Sequence, residues 1–171
     1  HEILGKVVAL GSRVGHLKLG QMVGVGWQSS SCGICLDCMG GHQNLCAESG
    51  ATCVGHLGGY ADYHVTDSRY CFLVPESLAE PSVAPLFCGG ITVYSPLCDF
   101  VAKKEARVGV VGLGGLGHLA VKFARAMGHE VSVFSSTEAK RRDALEMGAH
   151  HFHVARAAEE IEAIGRNLDL V

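Results

Sequence analysis

Residues 108–121 read Val-Gly-Val-Val-Gly-Leu-Gly-Gly-Leu-Gly-His-Leu-Ala-Val, an apolar run that breaks into closely spaced glycines and then becomes helical. The pattern is a strand, a tight turn and a helix start. Gly112, Gly114 and Gly117 carry the spacing G-x-G-x-x-G, with Leu113, Gly115 and Leu116 between them. In such a loop one glycine makes the turn, one lets the backbone approach a pyrophosphate, and one lets helix and strand pack closely. The N–H groups at the helix start then face the phosphate charge. A plain glycine-rich turn can show the same triplet, so the surroundings decide. Residues 107–111 are largely β-branched, as in a buried parallel strand, and residues 116–127 place Leu116, Leu119, Ala120, Phe123, Ala124 and Met127 on one helical face. Gly128 stops that helix and residues 130–135 form a second strand, which completes the βαβ unit of a dinucleotide-binding, doubly wound α/β domain.

The remaining composition fits an ordinary globular chain. With 171 residues, 48% apolar content and a net charge of −3, it has no nucleic-acid character. No apolar stretch approaches the roughly 20 residues of a membrane helix, and the first residues lack a signal-peptide pattern, so a cytoplasmic protein with no membrane partner is expected. The chain begins at His1 rather than methionine and stops at Val171 inside an expected strand; both ends are expected to be cut.

Cys32, Cys35, Cys38 and Cys46 give C-x2-C-x2-C-x7-C within a glycine-rich segment of almost no periodicity. Four thiolates suit tetrahedral Zn²⁺ and leave no open position, so the site is structural and the metal supplies folding energy that the loop cannot draw from a core. An iron–sulfur cluster is the competing reading, but there the fourth cysteine follows after three residues and precedes proline. His42, inside the lobe, reads as a solvated histidine. The eight cysteines thus indicate metal-bound thiolates in a reducing compartment rather than disulfides.

Around the lobe the chain reads as β structure: residues 6–10 and 22–27 before it, 58–65 and 69–74 after it. Cys53, Cys71, His56 and His64 read as core residues. Helices are expected over 80–88 and 91–99, separated by Gly89 and Gly90. Taken alone, Cys88 reads as core packing and His1 and Glu2 as a frayed terminus.

The order of the motifs changes that reading. His1-Glu2, the four-cysteine lobe, Gly58-Gly59-Tyr60, residues 84–97 (Ala-Pro-Leu-Phe-Cys-Gly-Gly-Ile-Thr-Val-Tyr-Ser-Pro-Leu) and Gly112-Leu113-Gly114-Gly115-Leu116-Gly117-His118 follow one another along nearly the whole chain. The chain resembles the zinc-dependent medium-chain alcohol dehydrogenases, in their cinnamyl-alcohol-dehydrogenase-like branch. The resemblance implies a GroES-like β catalytic domain over residues 1–88, with the structural zinc lobe at 31–47 and its N-terminal part missing. It also implies a Rossmann NADP-binding domain over 89–171, its C-terminal part missing. His1 then matches the catalytic-zinc histidine, Glu2 the adjacent glutamate and Cys88 a cysteine ligand, while a further cysteine ligand is expected upstream of His1. Thr92 matches the threonine that lies against the nicotinamide. The implied function is hydride transfer between a primary alcohol or aldehyde and NADP(H), with two Zn²⁺ per complete subunit, in a chain that is itself inactive as a fragment and dimerises when complete. The alternative from another class is a non-catalytic, zinc-stabilised NADPH-binding protein. Gln21, where the family commonly has an aspartate, and a short loop over 46–58 leave substrate preference open.

Cofactor choice is read at the end of the second strand. NAD-binding folds place Asp or Glu there for the ribose hydroxyls, whereas this chain has Ser135, Ser136 and Thr137, then Lys140 and Arg141. Hydroxyls and cations suit a 2′-phosphate, which favours NADP(H) over NAD(H). Lys140 and Arg141 also fit the solvated face of a helix running to Met147. His150, His151 and His153 read as strand-edge residues rather than a metal cluster, residues 157–164 as a helix, and 168–171 as the start of a fourth strand.

Overall fold

A computed structural model describes residues 1–101, 103–155, 162 and 167–171. The chain divides into two compact units, His1–Cys88 and Gly89–Val171. Of the helix expected over 157–164, only residue 162, which is helical, lies among the described residues.

The first unit is β-rich. Strand β1 (Ile3–Lys6) pairs antiparallel with β2 (Met22–Val25), which pairs antiparallel with β5 (Phe72–Leu73). Gln21 closes the turn before β2, its side-chain Oε1 accepting from the Lys18 N–H at 2.7 Å. Strands β3 (Gln28–Ser30) and β4 (Gly50–Ala51) form a second ladder, and the chain between them is the cysteine lobe with helix α1 (Leu36–Met39). Buried Thr52 fastens this ladder from behind, its Oγ1 donating to the Gly26 carbonyl at 2.8 Å.

Four expectations fail in this unit. The first strand is Ile3–Lys6, ahead of the expected 6–10. Residues 58–65 form no strand; they run as loop with Tyr60, Tyr63 and Val65 exposed. Their alternating pattern finds no neighbouring strand among the described residues, and propensity does not make a strand without a partner for its backbone. Residues 81–87 form a 3₁₀ segment, Pro81–Phe87, rather than an α-helix. Pro85 lacks the N–H of an i to i−4 bond and its ring would strike the preceding turn, so only tighter turns survive. Cys53 and His56 are exposed, contrary to a core role, whereas Cys71 and His64 are half-buried.

The second unit is a parallel sheet in the order β6 (Arg107–Val111), β7 (Glu130–Ser135), β8 (His151–Val154), and Leu170 bridges parallel to Val108 on the open side of β6. The Gly109 N–H donates to the Leu170 carbonyl at 2.8 Å, where the sequence placed a fourth strand. Helix α2 (Gly89–Phe100) begins at the two glycines that were expected to break it. Helix α3 (Gly117–Ala126) crosses between β6 and β7, and α4 (Arg141–Glu146) leads to β8. The buried line of α3 is Gly117, Val121 and Ala124, rotated from the expected face, so Leu116 and Met127 are exposed. Val121, Ala124, Val131 and Val133 are sealed between helix and sheet. No single helix among the described residues is long and apolar enough to cross a membrane.

Candidate metal and cofactor sites

The lobe brings its four cysteines together although they span 15 positions of sequence. Their sulfurs lie within 4.8 Å of one another, with Cys32 Sγ 3.9 Å from Cys38 Sγ and 3.6 Å from Cys46 Sγ. Four sulfurs about 2.3 Å from a tetrahedral ion stand about 3.8 Å apart, so the cage has the size of a Zn²⁺ tetrathiolate and is far too wide for disulfides. All four are free thiols, and Cys38 and Cys46 are buried. Cys35 caps α1, its sulfur accepting from the Cys38 N–H, and the Cys35 N–H in turn points at Cys32 Sγ. Such backbone donors favour thiolates. The N–H groups of Ile34 and Cys35 draw the Cys32 thiol down, and the Ser31 hydroxyl, ahead of the backbone of Gly33, helps bring Cys38 to about 7. At Cys35 the Cys38 N–H pulls down, but the Cys38, Cys32 and Cys46 thiols together with burial push it up to about 12, as expected where four acids compete for one site. His42 is exposed and lies outside this cage.

A second donor group belongs to the same unit. His1, Glu2 and Cys88, 87 positions apart at the extremes, bring one ligand atom each to within 4.8 Å. β1 follows immediately from His1 and Glu2, and the Pro81–Phe87 segment delivers Cys88. The His1 ring stands edge-on to Trp27 at 5.0 Å between centroids. Burial, and then the Glu2 carboxylate, push the Cys88 thiol up. An imidazole nitrogen, a carboxylate oxygen and a thiol sulfur are donors that Zn²⁺ accepts.

In the second unit Gly112 turns the chain with φ +87°, and a Cβ at Gly117 would collide with the Gly112 carbonyl oxygen, so helix and loop touch there. Gly114 and Gly115 face open space, with nothing within 4 Å of an added Cβ, which leaves room for a pyrophosphate at the start of α3.

Residues 1–76 match the alcohol dehydrogenase GroES-like domain, and residues 115–171 match the zinc-binding dehydrogenase family. Aldehyde reductase AdhA of Synechocystis sp. is 43% identical over 171 residues, covering 100% of this chain and 51% of its own length. Among solved structures, a cinnamyl alcohol dehydrogenase (SbCAD4) from Sorghum bicolor superposes with a TM-score of 0.87 at 41% identity, over 95% of this chain and 49% of the other. A CAD from Helicobacter pylori complexed with NADP(H) superposes with a TM-score of 0.83 at 42% identity, over 90% and 47%. This chain belongs to the zinc medium-chain alcohol dehydrogenase family, in its cinnamyl-alcohol-dehydrogenase-like branch. It spans about half the length of the curated relatives it matches.

Within this dehydrogenase fold, the 2′-phosphate candidates gather beside the glycine loop. Ser135 is buried at the end of β7 and its Oγ accepts from the Thr137 N–H, whereas Ser136 is exposed and Thr137 half-buried. Lys140 reaches back to the loop itself, its Nζ donating to the Leu113 carbonyl at 2.8 Å. Arg141 instead pairs with Glu138 and donates to the Phe152 carbonyl, lying over the Phe152 ring, so it serves packing. Thr92 is exposed in the first turn of α2. His151 pairs with Glu130 at 2.7 Å and His153 stacks on Phe134, the strand-edge roles expected of them.

Sequence reasoning missed the seat of Cys88. Phe87 lies against β2 so closely that a Cβ at Gly24 would fall inside its ring and one at Gly26 would strike its carbonyl. The spacing of Gly24 in β2 and Gly26 just beyond it was the local signal.

Proposed function

We propose that the whole protein to which this chain belongs is a zinc-dependent oxidoreductase that moves a hydride between a primary alcohol or aldehyde and NADP(H). The single observation that carries the reading is the meeting of His1, Glu2 and Cys88 from opposite ends of the first unit, beside a separate four-cysteine cage. His1 and Cys88, with Glu2 next to them, would hold a zinc ion, which would supply a Lewis acid for an alcohol hydroxyl or aldehyde carbonyl, and a bound nicotinamide would supply the hydride acceptor or donor. The chain's own residues bind and orient. Cys32, Cys35, Cys38 and Cys46 hold a second, structural zinc. Gly112, Leu113, Gly114, Gly115, Leu116 and Gly117 would receive the pyrophosphate, Thr92 the nicotinamide, and Ser135, Ser136, Thr137 and Lys140 the 2′-phosphate. The NADP(H) complex of the Helicobacter pylori relative supports that cofactor. So does the residue chemistry, since an acid at the end of β7 would repel a phosphate and this chain places hydroxyls and an ammonium there.

Metal content per chain and NADPH-dependent benzaldehyde reduction test this. A chain extended to its relatives' length is expected to hold two zincs and turn over, and Cys88→Ser to lose one zinc together with turnover. One zinc and no turnover in the extended chain would leave a non-catalytic, zinc-stabilised NADPH-binding protein.

A further inference from the structure

The cysteine lobe is fastened to the rest of its unit by a turn 21 positions beyond its last cysteine. Residues Ser68–Tyr70 form a 3₁₀ turn capped by Asp67, whose side chain accepts from the Arg69 N–H. The Tyr70 hydroxyl donates to Ser31 Oγ at 2.5 Å across 39 positions of sequence. Both residues are buried, Tyr70 6% and Ser31 7% exposed. Ser31 directly precedes the first metal-site cysteine, Cys32. Arg69 adds a second grip, its Nη2 donating to the Ser31 carbonyl at 3.4 Å while the guanidinium lies over Gly33, 3.0 Å from where a Cβ would stand. Asp67 fixes that guanidinium mainly through Oδ2, which accepts from Arg69 Nε at 3.0 Å and from Nη2 at 2.7 Å, while Oδ1 accepts from Nε at 3.2 Å. The forked pairing leaves Arg69 little freedom to swing away.

We infer that the Asp67–Arg69–Tyr70 turn is a clasp on the entrance of the four-cysteine lobe, and that it sets how long the lobe keeps its zinc. This rests on the reading of that cage as a zinc site. Four thiolates around Zn²⁺ carry a net charge of −2, and a fixed guanidinium beside Ser31 and Gly33 lowers the cost of gathering them. For the ion to leave, the Cys32 end must swing outward, which breaks the buried Tyr70–Ser31 hydrogen bond and leaves a hydroxyl unpaired in the interior. Groups outside the ligand set commonly change metal affinity by tenfold or more in this way. Tyr70 and Arg69 are therefore positioning residues for the metal, although neither touches it.

The experiment is zinc release from the purified chain to the colorimetric chelator 4-(2-pyridylazo)resorcinol, followed in time. Tyr70→Phe, which deletes only the hydroxyl, is expected to speed release about tenfold. Arg69→Met, at a half-exposed position where no cavity results, is expected to speed it severalfold, and Arg69→Lys to recover part of the loss. The ligand-field spectrum of the Co²⁺-loaded lobe is expected to shift in Tyr70→Phe and return toward the parent in Arg69→Lys relative to Arg69→Met. If the parent chain holds no zinc that Cys46→Ser removes, the zinc-site reading itself fails. If the parent holds it and both Tyr70→Phe and Arg69→Met release it at the parent rate, the clasp is overturned.

Discussion

The two units of this chain reach stability by different physical routes. The second gathers twelve buried residues into one contiguous cluster, with Val121, Val131 and Val133 sealed between α3 and the parallel sheet. The first, among the described residues, gathers only Val7, Leu17 and Val23 into a buried cluster, and its lobe has no apolar core at all. What the lobe has instead is four converging sulfurs and a buried tyrosine–serine hydrogen bond. Hydrophobic burial spreads its stabilisation over many weak contacts and depends on close packing among them. Coordination does not spread it, because each ligand carries a large share and fixed geometry. The contrast teaches where each unit is fragile: the first to loss of one ion, the second to intrusion of one methyl group.

Four experiments break or sharpen that comparison, from the largest effect to the smallest. Metal removal comes first. Stripping zinc with a strong chelator is expected to unfold the lobe, since structural zinc contributes on the order of 10 kcal/mol in small metal-folded domains. Hydrogen exchange should show protection lost across residues 31–47 and retained in β6 and β7; uniform loss across both units would remove the contrast. Next is Gly117→Ala, whose Cβ would strike the Gly112 carbonyl. Overpacking of this kind costs about 3 kcal/mol, so a lowered melting temperature of the second unit and weakened NADPH binding are expected by calorimetry, with the lobe's zinc untouched.

Third, Lys140→Ala is expected to raise the Kd for NADPH about tenfold, roughly 1.4 kcal/mol, while that for NADH changes little. Equal effects on both cofactors would mean that the lysine only braces the Leu113 carbonyl. The smallest effect concerns Asp169. The backbone N–H of Arg107 and then the Lys103 ammonium hold its carboxyl below the usual carboxylate range. A depressed pKa adds stability that is present above the unfolded value near 3.9 and lost as pH falls through the lower folded value. Melting temperatures of Asp169→Asn, measured from about pH 5 down to pH 2, are therefore expected to fall less steeply than the parent's.

Much of the fold was legible because its signals are local. The spacing of Cys32, Cys35, Cys38 and Cys46 dictates a small closed cage, and Gly112, Gly114 and Gly117 sit at the strand-to-helix turn where their spacing put them. β7 runs over Glu130–Ser135 as expected, and His151 and His153 share the expected strand. What failed was local propensity without its partner. Residues 58–65 alternate like a strand yet pair with none that is described, and Pro85 tightens residues 81–87 into 3₁₀ turns that hydrophobic periodicity cannot register. The supports of the sites were out of reach altogether. Tyr70 meets Ser31 across 39 positions and Lys140 meets Leu113 across 27, and no spacing rule links residues joined only by the fold.

The seating of Phe87, its ring on Gly24 and its carbonyl on Gly26, has a mechanical consequence. Phe87 and Cys88 share one peptide bond, so the ring acts as the short arm of a lever and the thiol as its tip. A displacement of about 1 Å at a reacting centre can cost a hundredfold in rate. The bare backbone of β2 is therefore the fulcrum that sets where the Cys88 sulfur points, and two residues without side chains govern the aim of one whose side chain is its whole chemistry.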